Sequence, residues 1–195
     1  MHATANNLDV FFHVRFVLSM VVSLSIARLL TGMARFVQHP SYGRPDIVHF
    51  GWAISLLVLV IQFWWWEFGL NKVPLWTFDL YVFIVLYAVL LYFLCALIFP
   101  DKIDEYAGYE DYFMSRRKWF FGLFALQQLF DLGDTLIKGR AHFDMLGFEY
   151  MLQAPVYIVL SIVAMYTPDR RFHVAFVVGN LLYQSSYIAR QFQVL

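Results

Sequence analysis

The stretch WTFDLYVFIVLYAVLLYFLCALIFPD, residues 76–101, decides how this chain folds. From Leu80 to Phe99 it carries no charged residue, no glycine and no proline. A helix needs roughly 20 apolar residues to cross a hydrocarbon core, and this run supplies them. Pro100-Asp101 then ends it. The run is continuous rather than alternating, and about twice the length of a barrel strand, so it does not suit a membrane β-barrel. A helix apolar on every side belongs in lipid or a large core. It reads as a transmembrane helix from Trp76 to Phe99.

Five further segments resemble it: Phe11 to Phe36, Ile47 to Leu70, Lys118 to Ile137, Met145 to Tyr166 and Phe172 to Phe192. Together they predict an all-α polytopic membrane bundle of about six transmembrane helices, in one domain over residues 1–195. The connections His39–Asp46, Asn71–Leu75, Lys138–Asp144 and Thr167–Arg171 are short, which forces neighbouring helices antiparallel. The third connection, DKIDEYAGYEDYFMSRR (101–117), is longer, acidic and rich in tyrosine. It ends at Arg116-Arg117-Lys118, and predicts an interfacial segment with its tyrosines at headgroup level. Pro155, midway along the fifth segment, predicts a kink. LLTGMARF (29–36) and LIKGRAHF (136–143) share Leu, Gly, Ala and Phe, an echo compatible with two inverted three-helix halves, a plan many transporters use.

Composition supports the lipid environment and excludes several functions. Of 195 residues 61% are hydrophobic and 14% charged, against about 25% charged in soluble domains. Net charge is zero with no basic stripe, so no nucleic-acid partner is expected. A single cysteine, Cys95, excludes an internal disulfide and CxxC chemistry. The first ten residues lack the basic region and cleavage site of a secretory signal, so the first helix is expected to enter the membrane itself. Lysines and arginines near the first, third and fifth connections number eight: Arg35, Arg44, Lys102, Arg116, Arg117, Lys118, Arg170 and Arg171. Five lie on the other side: Arg15, Lys72, Lys138, Arg140 and Arg190. This bias places both termini on the non-cytoplasmic side of an inner or plasma membrane of bacterial type.

Ionisable residues inside a membrane segment are costly and each needs a reason. Arg15, Glu67, Asp79, Asp131, Asp134, Glu149 and Arg190 fall in the same half of the membrane once alternating helix direction is considered. Gln127, Asp131, Asp134 and Lys138 are spaced 4, 3 and 4 and share one helix face. Asn180, Gln184, Tyr187 and Gln191 repeat that spacing. Two such stripes predict a polar seam between the fourth and sixth helices, with Arg15, Ser19 and Ser23 as neighbours. Asp131 is the expected principal titrating group, since its helix runs on apolar beyond it and its side chain is too short to reach water. Arg28 stands in the other half, near Asp46 and His49, where it either snorkels to the cytoplasmic phosphates or contacts an anion or a lipid headgroup.

No GxSxG, HExxH, Walker or GxGxxG motif occurs, which leans against an enzyme. His13 with His142, and His49 with His173, would offer haem two ligand pairs, but all four lie near helix ends and haem is not expected. No metal site is expected either. Three functions remain. A transporter or ion/proton pathway along the seam ranks first. An accessory subunit of a larger membrane complex, or a homo-oligomer, ranks second, and a membrane enzyme handling lipid or quinone third.

Overall fold

The computed structural model describes residues 2–38 and 45–191, and their side chains except 2–8, 140–142, 145 and 191. Arg44 and most of the first connection therefore lie outside the described residues, and the side chains of Arg140, His142 and Gln191 outside the described side chains. The chain is all-α among the described residues. Its helices are α1 (His2–Gln38), α2 (Ile47–Trp66), α3 (Phe78–Ile98), α4 (Tyr109–Ile137), α5 (Arg140–Tyr166) and α6 (Arg170–Gln191). Four segments are long and apolar enough to cross a membrane: Asp9–Gln38, Ile47–Lys72, Phe78–Ile98 and Leu146–Tyr166. Of the six helices expected to span, these four meet the length and hydropathy a crossing needs. α4 and α6 are long enough, but their polar stripes and terminal charges lower their apolar content.

Successive helices alternate in direction, so the bundle has a near end, where α1 begins, and a far end. α1 packs along α3 and α2, α4 lies between α3 and α5, and α2 packs on α6. The backbones of α4 and α6 do not come into close contact. They meet through aromatic rings, with Phe121 stacked on Phe176 at 5.6 Å and on His173 at the same distance. The two three-helix halves thus pack differently, because α1 rests on α3 while α4 stands away from α6. The echoed glycines differ too: Gly32 is helical, whereas Gly139 has φ 107 and separates α4 from α5.

An aromatic cluster forms the core toward the far end. The fully buried Trp52 ring lies 5.1–5.5 Å from those of Phe120, Phe121, Phe124 and Phe176, all at steep angles. Such edge-to-face pairs bring positive ring edges to negative faces. Close approach of α1 and α3 depends on Gly32, where a Cβ would stand 2.2 Å from the Phe99 ring.

Two local expectations change. α4 begins at Tyr109, so half of the segment expected at the interface is helix. It docks on protein because Tyr112 and Phe113 are buried, and the Tyr112 hydroxyl donates to the Leu97 carbonyl at 2.7 Å. α5 also departs from helical dihedrals at Gly147 (φ 74, ψ −176), a break in addition to the one expected at Pro155. A proline removes one hydrogen bond yet can be carried within a membrane helix, whereas φ 74 is open chiefly to glycine.

The far end is tied by ions. Asp46 caps α2, accepting from the backbone N–H groups of Val48 and His49 on Oδ1, and it accepts from Arg170 on Oδ2 at 2.7 Å. Arg170 also meets Glu110 at 2.9 Å, so α2, α4 and α6 are joined. Burial works against the Asp46 carboxylate, but Arg170 and the two helix N–H groups outweigh it and hold its pKa below the usual carboxylate range.

Candidate functional site

A cavity of about 100 Å³ lies between α4 and α6. α2, α3 and α5 complete its wall. Gln127, Asp131, Asp134 and Lys138 face it from α4, and Asn180, Gln184 and Tyr187 from α6. Glu67 reaches it from the end of α2, where the α-helix tightens into a 3-10 segment, Glu67–Lys72. The two stripes legible in the sequence therefore meet across a space rather than side by side.

Acidic groups outnumber basic ones there. The Lys138 ammonium lies between two carboxylates, donating to Glu67 Oε1 at 2.9 Å and to Asp134 Oδ2. All three side chains are withdrawn from solvent, with exposures of 3% for Lys138, 0% for Glu67 and 6% for Asp134. Gly69 permits the arrangement, because the Lys138 stem passes 3.3 Å from where a Cβ would stand. The second oxygens, Glu67 Oε2 and Asp134 Oδ1, are buried without a hydrogen-bond partner in the protein. One cation thus serves two carboxylates. Asp131 beside them adds a third.

Asp131 is held differently. Its Oδ1 accepts from the Tyr87 hydroxyl at 3.1 Å and its Oδ2 from Tyr150 at 2.8 Å. Tyr150 also pairs with Thr135 at 2.7 Å, and Gln127 donates to the Tyr87 oxygen at 3.0 Å. Hydroxyl donors can support a carboxylate without a counter-charge. The groups left short of partners are accordingly Glu67 and Asp134, more than Asp131.

A second polar chain leads inward. Tyr157 donates to Asn180 Oδ1 at 2.7 Å, and Asn180 Nδ2 donates to Ser55 Oγ at 2.6 Å, near the middle of α2. The Gln184 amide lies 3.4 Å from the Ser55 carbonyl, which can only accept, so its nitrogen faces that carbonyl and its unpartnered Oε1 is the other end. Beyond Ser55, toward the far end, lies the buried Trp52 cluster.

Other expected residues lie elsewhere. Arg15 is not at the cavity; its guanidinium lies over the rings of Phe68 at 4.0 Å and Trp64 at 4.9 Å. Ser19 turns back onto the Phe16 carbonyl, and Ser23 is exposed. Glu149 and Arg190 form an exposed two-pronged ion pair at 2.6 and 2.8 Å, and Asp79 is exposed in the first turn of α3. Arg28 bonds Asp101 at 2.6 Å and the Phe99 carbonyl at 3.0 Å, so its partner comes from the α3–α4 connection rather than from Asp46 or His49. Nε2 of His49 and of His173 meets a backbone carbonyl, Ile98 at 2.6 Å and Thr167 at 2.9 Å. Among the described residues no three His, Cys, Asp or Glu side chains are grouped to hold a metal ion.

Sequence reasoning passed over Tyr87, Tyr150, Thr135 and Ser55, each of which looks like ordinary helix filling in an apolar run. Lys138 was visible as the end of the α4 stripe, but its place between two carboxylates was not. Comparison with known protein families, characterised proteins and solved structures finds no match.

Proposed function

We propose that the chain is a six-span membrane protein that carries a proton or small cation, with the cavity between α4 and α6 as its binding site. The observation that carries this reading is the grouping of three carboxyl groups with one amine around a buried cavity, two of their oxygens having no partner in the protein. Uncompensated charge out of water costs several kcal/mol, so such a cluster favours whatever positive species can enter. The groups facing the Glu67–Asp134 pair are Lys138 and Asp131 from α4, Tyr87 from α3, Tyr150 from α5 and Tyr187 from α6. Alternating capture and release of a proton by Glu67 and Asp134, with Lys138 holding whichever stays ionised, is a cycle these groups can support.

The two helices too polar for the hydropathy test fit the same reading. A stripe turned to a cavity escapes lipid while the rest of the helix meets it. The 22 residues of α6 extend about 33 Å, enough to span. The Trp52 cluster argues for a gated carrier rather than an open channel. Purified protein in liposomes loaded with a pH-sensitive dye tests the reading. An imposed proton or potassium gradient should produce dye response above empty vesicles, and Glu67→Gln or Asp134→Asn should cut it at least tenfold. Flux indistinguishable from empty vesicles, or unchanged in both variants, would refute it.

A further inference from the structure

Arg15 stands in the span Asp9–Gln38 with a charge that the protein does not answer. Among the described residues it forms no ion pair. Its Nε is enclosed without a hydrogen-bond partner, while its two terminal nitrogens are not enclosed and can be reached from outside. What holds the group is aromatic: the guanidinium carbon lies 4.0 Å from the centre of the Phe68 ring and 4.9 Å from that of Trp64. Phe12 and Phe16, on either side of it in α1, are exposed, so this edge of the bundle faces lipid. Guanidinium groups keep their charge in proteins, and a charge at a lipid-facing surface is costly until an acceptor meets it. We propose that Arg15, seated on Phe68 and Trp64, binds the phosphate of a single phospholipid in the near-end leaflet. This inference does not depend on the reading of the cavity as a cation site.

Depth favours a phosphate. The span has 30 residues, about 45 Å of helix, against a hydrocarbon core of about 30 Å. About 7 Å is left over at each end, and Arg15 lies six residues, about 9 Å, from the near-end limit. Its backbone therefore sits at the edge of the hydrocarbon core. Side chains of a helix lean toward its N-terminus, which for α1 is the near end, so the guanidinium is carried toward the phosphates. Phe68, the closer of the two rings, likewise lies about one turn nearer that end than Trp64. The aromatic seat also sets the geometry. Rings take the face of the guanidinium and leave its N–H groups, which lie in its plane, to an anion. The two terminal nitrogens offer parallel donors that match two phosphate oxygens. An ordinary snorkelling arginine moves freely, whereas this one is confined by the rings and by its enclosed Nε, so part of the ordering cost is met before a lipid arrives.

The test titrates the full chain, in maltoside micelles, with lipids whose acyl chains are brominated near the headgroup, so that a lipid held beside Trp64 quenches its fluorescence. Phosphatidylglycerol is compared with phosphatidylcholine and with diacylglycerol, which keeps the tails and lacks the phosphate. A saturable quench is expected with phosphatidylglycerol, and one about fivefold weaker in affinity with phosphatidylcholine, whose choline offsets the phosphate charge. Diacylglycerol should give only a shallow quench that does not saturate. Arg15→Gln should reduce the phosphatidylglycerol curve to that of diacylglycerol. Arg15→Lys, which keeps the charge and loses the fork, should weaken binding several-fold, and it serves if the Gln variant does not fold. Equal quenching by diacylglycerol, no saturable quench, or phosphatidylglycerol affinity unchanged in both variants overturns the proposal. Inorganic phosphate at millimolar concentration should not displace the lipid. Displacement would mean that Arg15 takes a free anion, and the assignment to a phospholipid would fail.

Discussion

At the scale of single residues, Lys138 holds the cavity together. Removing one partner of a buried ionic cluster costs about 3–5 kcal/mol, because the groups left behind remain charged and out of water. Lys138→Met should therefore lower stability by about that amount, read as a fall in the denaturant midpoint of the protein in detergent. Adding Glu67→Gln and Asp134→Asn should restore most of the loss, since neutral amides need no ammonium. The partnership was not legible in advance. Spacing placed Asp134 and Lys138 on one face, but Glu67 lies 71 positions from Lys138, and only packing of α2 beside α4 brings them together. Arg28 shows the same limit, because its partner, Asp101, sits in a connection that periodicity says nothing about. Tyr87 shows another. In a helix as apolar as α3 a tyrosine reads as one more ring, and nothing local reveals that its hydroxyl supports Asp131.

Helices as units were far more legible. Each of the six was visible as an apolar run bounded by prolines, glycines or charges, and the polar stripes on α4 and α6 were visible through their spacing. What the pattern did not reveal were joints. A break in α5 falls at Gly147, whose dihedral need is a property of the folded backbone and which no local signal marked. Gly32 gives a prediction at this scale. Ala in its place would drive a methyl into the Phe99 ring, and overpacking of this kind costs about 1–3 kcal/mol. Thermal unfolding of Gly32→Ala in detergent should show a lower midpoint, with recovery on adding Phe99→Leu. Asp46 gives a second. Its pKa is lowered on folding, so its stabilising contribution is complete above the unfolded value near 4 and declines as pH falls through the folded one. Far-end stability should thus weaken with acid below about pH 4, and Asp46→Asn should reduce that acid dependence, as followed by hydrogen exchange of the first turn of α2.

For the molecule as a whole, the far end is tied by ion pairs and the polar cavity between α4 and α6 lies toward the near end. Three helices are tied by the Asp46–Arg170–Glu110 ion pairs, and behind them the rings around Trp52 form a buried core. Trp52→Ala should cost about 3–5 kcal/mol. In vesicles it should also raise the passive proton leak well above that of the unaltered protein, because the polar chain ending at Ser55 would gain a way through. A leak no faster than the parent's would show that the ion pairs, rather than the rings, make the seal. Burial of this kind could not be read from the sequence, where the same aromatic residues look like lipid-facing bulk.

The position of Glu67 has an electrical consequence. It lies five residues from the near-end limit of a 26-residue span, so a positive charge reaching it has travelled only about a fifth of the way across. Moving one elementary charge through the full membrane field is worth about 2.3 kcal/mol per 100 mV, so arrival at Glu67 senses about 0.5 kcal/mol of it. On the proposed reading of the cavity as a cation site, its occupancy should be nearly indifferent to membrane voltage. The remaining four-fifths of the field would fall on the step past Trp52, making passage, not capture, the voltage-sensitive event.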